Sequence, residues 1–142
     1  MDNKWDTRLL NLARHKAEWS KDPSTKVGAV IANGNRDISH GYNGPPRNIP
    51  DEETDRATKL RRTIHAEVNA ILFAQRDVSG MTMYVTPHPC GPCSALIAQA
   101  GIARVVIPEA GPKLSQAWSD DIKEAKWIFE QAGIKLVRVR GK

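Results

Sequence analysis

The chain has 142 residues, 40% of them hydrophobic, which suits one compact domain spanning residues 1–142 with a sheet-and-helix core. Its 21 basic and 16 acidic residues give a net charge of +5, which favours anionic partners such as nucleotides or nucleic acid and says nothing about fold. No apolar run approaches the roughly 20 residues that cross a bilayer, and the start Met1-Asp2-Asn3-Lys4-Trp5-Asp6 has no signal-peptide core, so a cytoplasmic protein is expected.

Trp5, Leu9, Leu12, Ala13 and Ala17 fall near helical spacing and predict a first helix that cannot pass Asp22-Pro23. Val27–Ile31 reads as a strand, Asn33-Gly34-Asn35 as a turn and Asp37–Asn43 as a second strand, together a hairpin. From Gly44 to about Leu60 the chain is polar and proline-rich, and reads as an exposed loop with at most one helical turn that could cover a site. Thr63 is the expected N-cap of a second helix carrying His65 and Glu67 in its first turn, extended by Val68, Ile71, Leu72 and Gln75 and ended by Asp77–Gly80. Thr82–Thr86 reads as a strand, and Pro92 opens a third helix through Leu96, Ile97 and Ala100 that Gly101 stops. Arg104–Ile107 is strand-like. Ser119 is the expected cap of a last helix with Ile122, Ala125, Phe129 and Ala132 inward, and Lys135–Val139 closes the series. Strand–helix–strand alternation in the second half implies parallel neighbours, hence a three-layer α/β/α domain with a mixed five-stranded sheet.

The chemistry is concentrated in His65-Ala66-Glu67 and in Pro89-Cys90-Gly91-Pro92-Cys93. The only two cysteines stand three positions apart, a spacing that in a reducing compartment favours metal binding or redox chemistry over a structural disulfide. His65, Cys90 and Cys93 offer one imidazole and two thiolates, the ligand number of a catalytic zinc site with one position open to water, whose pKa the ion lowers to about 7. Helix N-termini beneath these residues favour the thiolates. Residues two apart on a helix do not share a face, so Glu67 is not expected to ligate the same ion and is left to carry protons. The pattern H-x-E…P-C-x-x-C resembles the signature of zinc-dependent nucleobase deaminases.

Three further stretches narrow that resemblance: Ser20-Lys21-Asp22-Pro23-Ser24-Thr25-Lys26-Val27-Gly28-Ala29-Val30, then Gly41-Tyr42-Asn43-Gly44-Pro45-Pro46-Arg47, then His65-Ala66-Glu67-Val68-Asn69-Ala70-Ile71. With these, residues 20–107 resemble the deoxycytidylate deaminases, small phage-type members most of all. The resemblance implies a cytidine-deaminase-like fold and hydrolysis of dCMP to dUMP, the thymidylate precursor. It implies zinc at His65, Cys90 and Cys93 with Glu67 as proton shuttle, and a host-cytoplasmic location if the gene is phage-borne. It further implies a pyrimidine pocket lined by Val27, Gly28, Ala29 and Ala66, Asn43 on the deoxyribose hydroxyl, and Ser24, Lys26 and Arg47 as phosphate candidates. Many members are hexamers regulated by dCTP and dTTP with Mg²⁺, and Gly41, Tyr42, Asn43, Gly44 and Arg47 are the matching loop. Two departures stand out. No Cys or His lies between Gly44 and His65, so the additional zinc site of longer relatives cannot form there, and Thr86-Pro87-His88-Pro89 is unusual wording, which leaves dCTP as an alternative substrate.

Competing readings are an editing deaminase acting on tRNA or single-stranded DNA, a redox pair, and a structural zinc site completed by His88. The first draws on the +5 charge, but no Lys/Arg tract with interleaved aromatics occurs and aromatics are only 6% of the chain. A zinc-stabilised binding module would make Glu67→Ala silent. His15 and His40 are assigned no role, and Tyr84 and Trp118 read as packing residues.

Overall fold

The computed structural model describes residues 4–23, 25–50, 55–109 and 116–140, with side chains from 119 onward in the last segment. In chain order the elements are α1 (Lys4–Ala17), β1 (Gly28–Asn33), β2 (Arg36–Tyr42), α2 (Arg56–Arg62), α3 (Ala66–Ala74), β3 (Thr82–Thr86), α4 (Gly91–Gln99), β4 (Arg104–Pro108), α5 (Gln116–Ala132) and β5 (Lys135–Val139). The five strands form one mixed sheet in the order β2-β1-β3-β4-β5. β1 pairs antiparallel with both β2 and β3, whereas β3–β4 and β4–β5 are parallel. The expected fold class and the hairpin are therefore observed, with Gly34 taking a positive φ of 64° in the turn.

Period-two alternation divides the core. Ala29, Ile31, Met83, Val85, Val105 and Ile107 face α3, α4 and α5, where Ala66, Ala70, Ile97 and Phe129 meet them. Val30, Ala32, Tyr84, Val106 and Val139 face α1 and pack on Leu9, Leu10 and Ala13. With both faces covered, β1 reads as a continuous apolar run because all its residues but the last are buried. Each fully buried Ile, Leu or Val side chain contributes about 1.5–3 kcal/mol.

A buried polar group ties α1 to the sheet. Asp6, 1% exposed, accepts hydrogen bonds from the Tyr84 hydroxyl at 2.9 Å and from both terminal nitrogens of Arg104. Burial would raise the Asp6 carboxyl, but the bonds from Arg104 and Tyr84 outweigh it and hold the group below its usual value. Burial and the same carboxylate push Tyr84 up to about 12. Tyr84 is thus a packing residue.

The structure corrects three boundaries and one inward-facing position. The 44–60 stretch is not all loop: Asp55 accepts from Thr58 N and caps α2, a two-turn helix that buries none of its residues and so leaves no apolar period to read. Thr63 ends α2 instead of starting α3, because its N–H and its hydroxyl both go to Lys59 O. Ser119 lies inside α5, whose first residue is Gln116, and Ala132 is exposed while Ala125 and Phe129 are buried. Among the described residues no helix is long and apolar enough to cross a membrane.

Candidate active site

Both chemical motifs sit at helix starts beside the carboxyl end of β3. An antiparallel bridge between Gly44 and Ile64 delivers the chain to His65, which takes the N-cap position of α3 at ψ 154°. This differs from the expected first-turn placement, and it frees the imidazole from the helix surface. Ala66 and Glu67 follow in the first turn, both buried. Cys90 is likewise the N-cap of α4, with Cys93 one turn on. Neither N-cap side chain makes a capping hydrogen bond, because both point at each other.

His65 Nδ1 lies 3.0 Å from Cys93 Sγ and 3.6 Å from Cys90 Sγ, and the three donor atoms lie within 4.8 Å of one another. A tetrahedral ion with the usual Zn–N and Zn–S bonds would hold such donors about 3.6 Å apart. The donor set and its spacing fit zinc. Exposure falls from His65 through Cys90 to buried Cys93, so one side of the cluster opens to solvent.

Charges in the cluster are tightly linked. The Cys90 thiol is pulled down to about 4, first by the hydrogen bond from the Cys93 thiol and then by His65, against burial. Cys93 is pushed up by that same bond and by burial. The imidazole of His65 is raised by its bond to Cys90. Glu67 is 4% exposed, and burial pushes its carboxyl up to about 7. A carboxyl poised there can both accept and return a proton near neutral pH.

The residues expected around the substrate fall on several elements. Asn43 is buried, its Oδ1 accepting from Val27 N and its Nδ2 donating to Thr25 O, both at 2.9 Å, so much of its amide is spent on holding the 25–27 loop. Gly28 owes its lack of a side chain to α1: a Cβ there would stand 2.0 Å from Ala13 O. Ala29 and partly buried Val27 belong to the α3 side of the sheet. Lys26 is exposed, and Ser24 lies outside the described residues. Gly41, Tyr42, Asn43, Gly44 and Arg47 all line one groove of about 850 Å³, where the Arg47 guanidinium lies 5.4 Å from the Phe73 ring.

Several residues were not singled out from sequence. Lys21 and Arg62 line a second cleft with Asn43 and Thr63, two residues from His65, and charge alone does not distinguish them from other surface cations. Asp121 accepts a hydrogen bond from Gly91 N at 2.9 Å. His88 is not in the three-donor group. Its ring stacks on Phe129 at 6.3 Å and its Nδ1 meets Pro89 O at 2.8 Å. His15 and His40 both stand edge-on to Trp19, and the Trp118 side chain lies outside the described residues.

A family model described as the cytidine and deoxycytidylate deaminase zinc-binding region matches residues 3–109. An uncharacterised deaminase of the luxG 3′ region in Aliivibrio fischeri is 44% identical over 96% of this chain and 94% of its own length. Human deoxycytidylate deaminase is 36% identical over 92% of this chain and 76% of its own. Among solved structures, a dCMP deaminase from the cyanophage S-TIM5, in complex with dCMP and dUMP, superposes with a TM-score of 0.81 over 98% of this chain and 99% of that one, at 23% identity, a likeness of fold. With a match over three-quarters of its residues and a three-donor cluster inside the matched fold, the chain belongs to the cytidine and deoxycytidylate deaminase family of zinc-dependent hydrolytic deaminases.

Proposed function

We propose that the protein converts dCMP and water to dUMP and ammonia, with His65, Cys90 and Cys93 as zinc ligands and Glu67 as the catalytic proton carrier. The observation that carries this reading is the convergence of the three donors beside a buried carboxyl. When bound, zinc supplies the Lewis acidity that ionises water near neutral pH. Glu67 takes one proton from the attacking water and passes it to N3 of the cytosine ring as C4 becomes tetrahedral, then takes the remaining proton from the new C4 hydroxyl and delivers it to the amine nitrogen, so that the C4–N bond breaks, ammonia leaves and the C4 carbonyl forms. Burial keeps the Glu67 carboxyl near the pH at which both transfers are feasible. Ala66, Val27 and Ala29 offer small apolar walls for a flat base, and Asn43 holds the loop that frames it, with one amide hydrogen left for a sugar hydroxyl. Lys21 and Arg62 supply positive charge for the 5′-phosphate from the neighbouring cleft, alongside Lys26.

The same reading assigns the groove containing Gly41–Gly44 and Arg47 to a regulatory dCTP or dTTP with Mg²⁺, and a homo-hexamer to the working assembly. All five loop residues lining one groove support the first, and the exposed Leu72 and Phe73 beside it support the second. Free thiols fit a reducing cytoplasm.

The test is ammonia release and loss of cytosine absorbance by zinc-loaded protein with dCMP, dCTP, deoxycytidine and a cytosine-containing oligonucleotide, with and without dCTP or dTTP as effector. Turnover of dCMP that Glu67→Gln lacks is the expected result. Turnover of the oligonucleotide alone would move the protein to the editing class, and no turnover of any substrate by zinc-replete protein would overturn the assignment. Light scattering reads the assembly directly.

A further inference from the structure

A helix that gives its N-cap residue to a metal gives up the side chain that normally satisfies its first N–H groups, and is weakened unless something replaces it. α4 meets this problem because its N-cap is Cys90. Two donors of its first turn can be followed to an acceptor. The N–H of Gly91 goes to Asp121 Oδ2 at 2.9 Å and Ser94 N donates to Cys90 O at 2.9 Å, while Pro92 has no N–H to place. The Ser94 hydroxyl also donates to Cys90 O, at 2.8 Å. Only the first of these acceptors comes from outside the helix, from α5, 30 residues further along.

Position 91 is shaped for that contact. A Cβ built on Gly91 would stand 2.9 Å from Asp121 Oδ1 and 3.9 Å from Glu124 Cγ, so the carboxylate occupies the space that a side chain would fill. We propose that Asp121 is a positioning residue for the metal centre: as a cap supplied from α5, it fixes the Cys90–Gly91 peptide and with it the direction of the Cys90 thiolate. Its negative charge beside a helix N-terminus also sits where the helix dipole favours it. Asp121 is outside the three-donor group. It acts through Gly91 on Cys90.

The inference rests on the zinc reading above, and the experiment separates the two. Zinc release to excess chelator is followed for the wild type, Asp121→Ala and Asp121→Asn, with the visible bands of the cobalt-substituted proteins as a record of ligand geometry. Removing an outer partner of a metal ligand typically costs 10–100-fold in affinity, so Asp121→Ala should release zinc about 10–100-fold faster with displaced cobalt bands. Asp121→Asn keeps an acceptor oxygen and should stay close to wild type. Wild-type release and bands in Asp121→Ala would overturn the proposal, and so would Asp121→Asn as defective as the alanine variant, since charge and not the accepted hydrogen bond would then be responsible. Amide exchange at Gly91 in the zinc-loaded wild type checks the contact without any substitution: a protected amide supports it, and an unprotected one refutes it. Wild-type protein that binds no zinc would instead sink the zinc reading, while leaving the Gly91 exchange result to decide the contact.

Discussion

Gly41→Ala should damage catalysis more than its distance from the chemistry suggests. Gly41 sits on β2 where α3 crosses it, and a Cβ there would stand 2.5 Å from Ala66 O, 2.6 Å from Ala70 N and 2.8 Å from Asn69 Cβ. Two of these three are backbone atoms, which cannot turn aside. To recover ordinary contact at 3.4 Å, α3 must retreat by about 0.9 Å. The helix is also pinned to β2 by Asn69 Nδ2 donating to Tyr42 O and Ser39 Oγ donating to Ala70 O, both at 2.8 Å, so the movement strains those bonds as well. Overpacking of this kind costs about 1–3 kcal/mol, or roughly 3–10 °C in Tm for a domain of this size. The first turn that moves is the one carrying Glu67 and following His65. Misplacement of a reacting group by 1 Å costs about 100-fold in rate, so kcat/KM for dCMP should fall by about that factor while the protein remains folded. Thermal unfolding and steady-state deamination, with zinc content measured on the same sample, test this. Wild-type kcat/KM in a folded, zinc-loaded Gly41→Ala protein would refute the packing argument and leave the glycine to the effector groove alone.

Glu67→Gln should keep its fold and its zinc and lose about 10²–10⁴-fold in kcat, as read by ammonia release, because the amide cannot carry the proton. Asp6→Ala strands the Tyr84 hydroxyl and the Arg104 guanidinium. Removing one partner of a buried pair costs about 3–5 kcal/mol, and the lower end applies because the Arg104 side chain remains 27% exposed; denaturant unfolding measures it. The Asp6 carboxyl lies below its unfolded value, so its contribution is fully present above the unfolded carboxylate pKa of about 3.9 and is lost as pH falls through the folded one. Acid unfolding should therefore be less steep in Asp6→Ala than in wild type. Chelation should abolish turnover and leave far-UV circular dichroism in place, because neither core cluster includes His65, Cys90 or Cys93.

The parts of this architecture that bury themselves in regular patterns were legible in advance. β3 and β5 match the strands expected at Thr82–Thr86 and Lys135–Val139 to the residue, since their alternation marks both faces of the sheet. The hairpin was legible from Gly34. What escaped was stabilised by polar contacts that leave no apolar period. α2 buries nothing and is held by the Asp55 cap, and Thr63 ends it by a side-chain bond to Lys59 O that a capping preference cannot distinguish from a helix start. In the site, the donor set was legible because metal chemistry demands particular residue types at short spacing. Gly28 shows the opposite case, since smallness on a strand suits a flat base and a crossing helix equally, and only the 2.0 Å approach of Ala13 O shows that α1 needs it. Asp121 lies 30 residues from the amide it holds, with no local signature.

The change of strand direction at β3 decides which parts of the sheet carry the metal donors. His65 arrives with α3, packed on the antiparallel β1–β2 half, whereas Cys90 and Cys93 arrive with α4, which follows β3 into the parallel half. The donor cluster therefore bridges the two halves of the sheet, and neither half carries all three donors. Unlike a zinc finger, whose metal affinity is consumed in folding the chain, the donors here stand at the rim of a sheet held by two apolar clusters that include none of them, so what holds the ion and what holds the sheet are different sets of residues.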